Sequence, residues 1–212
     1  LAERAVEAIE ANALIIHLNP LQELVQQGGD RNWKLVLEAI YLCADKLSVP
    51  VIVKEVGAGI SPSNAKQLEQ AGIKWIEVAG RGGTNWASIE YARNQSDFEQ
   101  QVASPFLNWG MDTAKLLPAI SANCPSLNLI GSGGVRDGLD IARCIRLGAC
   151  VTALAQPFLA PALESTEAVI NKIAILKEQL RWAMFLTGSK DLEALKKAKL
   201  EESLACFYMK NR

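Results

Sequence analysis

The sequence predicts an α/β protein with a parallel sheet clad in helices, and three observations lead there. Strand-like apolar runs alternate with helix-period runs along most of the chain. The strand runs are near-continuous rather than alternating, which marks strands covered on both faces. Polar and glycine-rich residues gather where strands end, at His17-Leu18-Asn19, Lys54-Glu55, Gly80 to Thr84 and Gly131 to Gly134. A doubly wound open sheet and a (β/α)8 barrel both satisfy this pattern, and both collect ligands at the carboxyl ends of their strands.

Each element has its own signal. The opening "LAERAVEAIEAN" reads as helix, and "ALIIHL" (13–18) as the first strand. "WKLVLEAIYLCADKL" (33–47) has apolar residues at helical spacing, and "VPVIVKEVG" (49–57) is a second strand. "SPSNAKQLEQAG" (61–72) begins with a cap-type serine and a proline at the first helical position, and closes on glycine. "KWIEVAG" (74–80) is a third strand. "DTAKLLPAISANC" (112–124) is helical with Asp112 as its cap, and Pro118 is expected to kink or divide it. "SLNLIGSGG" (126–134) is a fourth strand, "DGLDIARCIRLGA" (137–149) a helix and "CVTALAQPFL" (150–159) a fifth strand. Helices over 163–188 and 189–200 close the pattern. Residues 85–111 interrupt the rhythm as an insertion too long for an ordinary strand-to-helix loop, and such loops are commonly functional or mobile.

The bulk numbers narrow the class. Half of the 212 residues are hydrophobic and the net charge is −1, so a real core is expected and nothing points to nucleic acid or a membrane surface. No apolar run is long enough to span a bilayer. The five cysteines (Cys43, Cys124, Cys144, Cys150, Cys206) form no C-x-x-C pair, and buried, reduced thiols in a cytoplasmic protein are the expectation. The chain starts at Leu1 rather than Met, with five strands where a barrel needs eight. It is therefore expected to begin inside a longer protein and to lack three leading β/α units.

Several strand exits carry chemistry. "GSGG" (131–134) before a helix lets backbone approach an anion at unpaired N–H donors, although a tight turn alone explains it equally well. "ALAQPF" (153–158) follows at the next strand end, and barrels commonly build a phosphate site from their last two loops. Arg136 adds charge there or is merely solvated. Gly82 and Gly83 permit close approach of a flat ligand or phosphate, and the Thr84 hydroxyl can donate to it. Lys54 in an apolar strand must be paired or meet a ligand, a structural pair with Glu55 being the plainer alternative. His17 alone reads as a core histidine. With Asn19, Gln22 and Glu23 it forms a set able to bind a polyanion and, through Glu23, a divalent cation.

The stretches "IHLNPLQE", "PVIVKEVG", "VAGRGGTNWASIE", "NWGMDT", "GSGGVRDGLDIARCIRLGA" and "ALAQPFL" together resemble the type 2 isopentenyl diphosphate isomerases, in order and in register from about residue 10 to about residue 160. The resemblance implies an FMN-dependent (β/α)8 TIM barrel, of which residues 1–212 supply about the last five β/α units as the C-terminal portion of one domain, with terminal helices over 163–200. It implies that His17 and Asn19 face the substrate and its diphosphate, and that Gln22 lies near the reacting hydrocarbon. Glu23 would hold Mg2+, Lys54 the flavin ring and Thr84 the FMN, with Trp86 and Glu90 lining the pocket. Gly133, Gly134, Ala155 and Gln156, with Arg136 nearby, would hold the FMN phosphate. Gln22, Glu90 and His17 are the candidates for assisting proton transfer. NADPH would serve only to reduce the flavin, the substrate would be a small isoprenoid diphosphate, and the assembly a tetramer or larger homo-oligomer. The chain departs from the family's usual pattern at three places. Met111-Asp112 stand where Ile-Pro is usual, Arg81 where a small residue often sits, and Gln156 where a basic residue often sits. Two rival readings remain: another FMN barrel such as an α-hydroxy-acid oxidase, and a non-catalytic barrel fragment.

Overall fold

The computed structural model describes residues 1–200. Five short strands form one sheet: β1 (Leu14–His17), β2 (Val51–Lys54), β3 (Trp75–Glu77), β4 (Asn128–Gly131) and β5 (Val151–Thr152). Around them run α1 (Ala2–Ala8), α2 (Pro20–Val25), α3 (Val36–Lys46), α4 (Pro62–Gln70), α5 (Trp86–Arg93), α6 (Asp97–Ala103), a 3-10 turn (Ser104–Phe106), α7 (Thr113–Asn123), α8 (Gly138–Arg146), α9 (Gln156–Glu164), α10 (Thr166–Leu186) and α11 (Leu192–Lys196). Every pairing is parallel, and the strands lie side by side in the order β1-β2-β3-β4-β5. A doubly wound sheet reverses its order at a switch point, whereas a barrel adds each strand to the same side of the last. The sequential order therefore decides for the barrel.

Strand alternation sorts the side chains onto two faces. Val51, Val53, Ile76 and Leu129 are buried on one face against Ile40, Leu68, Leu116, Leu117 and Ile120 of the helices. The register Ile15↔Ile52↔Trp75↔Asn128 and His17↔Lys54↔Glu77↔Ile130 runs along the other face, the barrel interior. That inner face is more open: Ile15 on β1 is 53% exposed, against 0% for Val53 on the helix side. Helix starts follow their caps. The Ser61 and Asp137 side chains accept from the N–H groups of Asn64 and Asp140 at 3.2 and 2.8 Å, and Gly72 takes the left-handed φ of +88° just after α4.

Several expected elements differ. The strands are shorter than their apolar runs, and the fifth most of all: "CVTALAQPFL" is strand only at Val151–Thr152 and turns helical at Gln156. Pro157 sits in the first turn of α9, where its missing N–H has no helical partner to lose. Pro118 does not divide α7, which runs on to Asn123. Residues 85–111 are not a loop but mostly helix, in α5, α6 and the 3-10 turn. The last helix is confined to Leu192–Lys196, started by Asp191. Cys124 and Cys144 are buried, and burial pushes the Cys144 thiol up to about 12, so it stays protonated. Cys150 is exposed, contrary to expectation, because it precedes the outermost strand, whose far edge has no strand beside it among the described residues. Cys206 lies outside the described residues. Among the described residues no helix is long and apolar enough to cross a membrane.

Candidate active site

The inner face carries three ionisable side chains at one level. His17, Lys54 and Glu77 end β1, β2 and β3 as lateral neighbours. The Lys54 ammonium donates to the Glu55 carbonyl at 2.7 Å and lies 3.7 Å from the Glu77 carboxylate. Partial burial, and next the Lys54 charge, hold the His17 imidazole below its ordinary value. Glu77 is a residue that the sequence reading passed over. Its signal was the same as that of Lys54, a charge inside the apolar run "KWIEVAG".

The Glu55 carboxylate does not form the ion pair with Lys54, which reaches Glu55 only at its carbonyl. Glu55 is 5% exposed, and its Oε2 accepts the backbone N–H groups of Val56, Gly57, Ala58 and Gly59 at 2.6–2.9 Å. The carboxylate thereby fixes the loop leaving β2, while Lys54 is left to Glu77.

Beyond His17 the chain turns at once into α2, with Asn19 at its N-cap position and Pro20 at the first helical position. The Asn19 amide donates to Glu23 Oε1 at 2.8 Å and to Gln22 Oε1 at 3.3 Å rather than capping the helix. Glu23 Oε2 accepts the Asp30 N–H at 2.8 Å. Asn19, Gln22 and Glu23 are thus one hydrogen-bonded group just beyond His17. The helix α5 folds over it, joined by an apolar cluster of Leu21, Val25, Ala87 and Tyr91. This brings Gln22, Glu55, Trp86 and Trp109 to the wall of one crevice. Glu90 stands one turn beyond Trp86, with Arg93 3.5 Å from its carboxylate. Thr84 is exposed on the β3 exit.

The two glycine bends lie against each other. A Cβ on Gly82 would come within 2.9 Å of the Gly133 carbonyl oxygen, and one on Gly83 within 2.8 Å of the Gly134 nitrogen. Gly133 and Gly134 also require φ of +92° and +86°. Arg136 is neither free nor merely solvated: it donates to the carbonyls of Gly134 at 3.1 Å and Gly82 at 2.7 Å, bridging the bends. Among the described residues the N–H groups of Gly133, Gly134, Ala155 and Gln156 meet no acceptor within the chain. Unpaired donors at glycine bends and at the start of α9 suit an anion. Gln156 is exposed and adds no charge.

Residues 17–202 match the model of the FMN-dependent dehydrogenase family. The chain belongs to the FMN-dependent dehydrogenase family. Within it, the chain is 51% identical over 205 residues to the isopentenyl-diphosphate delta-isomerase of Stutzerimonas stutzeri, covering 97% of this chain and 59% of that protein. The protein of the same name from a Nostoc species is 44% identical over 193 residues, covering 91% of this chain and 55% of that one. The chain thus spans somewhat more than half the length of these relatives. Solved structures show the same fold at low identity. A Pediococcus acidilactici protein described as a lactate oxidase aligns with a TM-score of 0.66 at 21% identity, over 91% of this chain and 54% of that one. A mandelate oxidase variant with an FMN adduct aligns at 0.64 and 18%, over 93% and 57%. As a member of this TIM-barrel family of FMN-dependent dehydrogenases, the chain supplies about five of the eight β/α units.

Proposed function

We propose that the protein of which this chain is the C-terminal barrel portion interconverts isopentenyl and dimethylallyl diphosphate, as a type 2 isomerase of isoprenoid biosynthesis using FMN and Mg2+. The observation that carries this reading is the clustering of His17, Lys54 and the Asn19-Gln22-Glu23 group at adjacent strand exits, in a chain 51% identical to a protein named for that reaction.

The residues present fit both groups. The unpaired N–H groups at Gly133, Gly134, Ala155 and Gln156 suit the FMN phosphate, with Arg136 setting the spacing of the bends. Lys54, on the inner face, and Thr84, exposed on the β3 exit, would hold the flavin. Mg2+ commonly takes one or two protein carboxylates and completes its shell with phosphate oxygens and water, so Glu23 alone suffices on the protein side. Reduced flavin, when bound, supplies an acid/base group and an electron-rich surface for a reaction with no net redox. The chain's own residues then do the placing. His17 and Asn19 hold the diphosphate, Glu23 fixes the cation that neutralises it, and Trp86 and Trp109 keep water from the hydrocarbon. Gln22, with Glu90 one turn beyond Trp86, would assist proton movement at that end. NADPH serves only to reduce the flavin. The site is assigned to a cytoplasmic homo-oligomer of four or more subunits. The outward face of α10 supports the assembly: Trp182, Phe185 and Leu186 are exposed, while Leu180, Ala183 and Met184 of the same helix pack towards α8.

A second reading, oxidation of a 2-hydroxy acid, is favoured by the lactate and mandelate oxidase neighbours. That chemistry needs a base such as a late-loop histidine, and the chain's single histidine lies on β1. The two separate in one assay of the full-length protein under anaerobic conditions with pre-reduced FMN. Isomerisation without net oxidation is expected. Turnover confined to oxidised flavin, with a 2-hydroxy acid consumed, would contradict the proposal. Glu23→Gln is expected to raise the Mg2+ concentration needed for substrate binding about tenfold, on the scale of a lost charged ligand interaction, and to leave flavin binding unchanged.

A further inference from the structure

We propose that the ion pair between Arg81 and Asp112 is a positioning device for the flavin phosphate, acting through the two glycine bends; this rests on the flavin reading above. The Arg81 guanidinium reaches Asp112 Oδ1 with Nε at 3.1 Å and Nη2 at 2.8 Å, and its Nη1 donates to the Asn108 carbonyl at 2.6 Å. Lys115 approaches the other oxygen, Asp112 Oδ2, at 3.1 Å. Asp112 stands at the N-cap position of α7, where an aspartate ordinarily accepts from first-turn N–H groups, yet it makes no such bond. Its carboxylate is spent on Arg81 and Lys115 instead.

The consequence falls on the next residue. Thr113 is buried, and its hydroxyl lies 2.7 Å from the Ser132 carbonyl oxygen and 2.9 Å from that of Gly133, donating to the pair. The backbone repeats the link: Arg81 N–H donates to Met111 at 2.9 Å, and Thr113 N–H to Arg81 at 3.2 Å. Ser132 Oγ in turn accepts the Ala79 N–H at 3.0 Å. Three segments are therefore cross-braced: the β3 exit, the end of the 85–111 insertion, and the β4 exit whose Gly133 and Gly134 N–H groups are unpaired. Arg81 and Asp112 form the side-chain tie of this brace that faces solvent, each 39% exposed. Removing it leaves the core untouched and loosens the spacing of the bends. Both side chains are engaged with each other, with the Asn108 carbonyl and with Lys115 rather than with the unpaired N–H groups, so both are assigned as positioning residues.

The test compares two ligands that differ only in the phosphate. Dissociation constants for FMN and for riboflavin are measured by flavin fluorescence on the full-length protein as wild type, Arg81→Gln, Asp112→Asn and the double variant. Each single change is expected to weaken FMN about fivefold, the upper scale of a half-exposed pair, with riboflavin unchanged. The double variant is expected to lose less than the two single losses combined, because the Arg81–Asp112 contact is lost in all three. Arg81→Lys, which keeps the charge without the planar fork, is expected to fall between. Equal weakening of both flavins, additive losses, or no loss of FMN affinity would overturn the inference. A wild type that binds the two flavins equally would instead overturn the phosphate reading on which it rests.

Discussion

A single histidine makes the strand-end electrostatics directly measurable. His17 is held below its ordinary value by partial burial and by Lys54. A base whose folded value is depressed binds fewer protons when folded, so its contribution to stability is present above about 6.5 and is lost as pH falls from there through the lowered folded value. Proton NMR of the one imidazole is expected to titrate below 6.5, and Lys54→Met to move the midpoint upward. A midpoint at or above 6.5 in the wild type would place His17 away from Lys54. Glu55 gives a second prediction at this scale. Replacing it by Gln leaves four backbone N–H groups facing a neutral amide, at a cost of about 2 kcal/mol in urea denaturation, the scale of hydrogen bonds to a charged group. His17 and Lys54 were legible as strand-end residues because a charge inside an apolar strand stands out, and they prove to be lateral neighbours. The sequence could not show that Glu55 turns into its own loop and that Glu77, a strand away, is the partner, since lateral register is absent from a linear pattern.

At the scale of elements, the cap and turn signals of α4 and α8 were legible because they act within four residues of their targets. The boundary of β5 was not, because "ALAQPFL" is apolar in either state and only the packing of α9 chooses helix. The insertion was misread for a related reason: Asn85 and Ser96 cap α5 and α6 in a stretch with weak apolar periodicity. The glycine bends show what geometry adds. As sequence they suggest a phosphate cradle, whereas the structure shows that part of the glycine requirement is the contact of one bend with the other. Gly133→Ala is expected to cost about 3 kcal/mol, combining a left-handed backbone penalty with overpacking against Gly80. A denaturation midpoint unchanged from wild type would mean that the bends are not in contact.

At the scale of the whole molecule, sequential parallel strands leave one face of the sheet clad in helices and the other turned inward, and the charged residues of the strand tips lie on that inner face. The fold class followed from alternation alone. The choice of a barrel over an open sheet needed either the family resemblance or the observed strand order, because both architectures write the same local pattern. The outer face of α10 carries the assembly proposal, and Trp182→Glu combined with Phe185→Glu is expected to reduce the oligomer measured by light scattering. The account as a whole depends on the tips of adjacent strands sharing one mouth. A crystal structure of the full-length protein with FMN, Mg2+ and isopentenyl diphosphate tests it most directly. The flavin ring is expected against Lys54 and the diphosphate at His17 and Asn19, with the metal on Glu23. Flavin bound on the helix-clad side, or a diphosphate remote from His17, would contradict it.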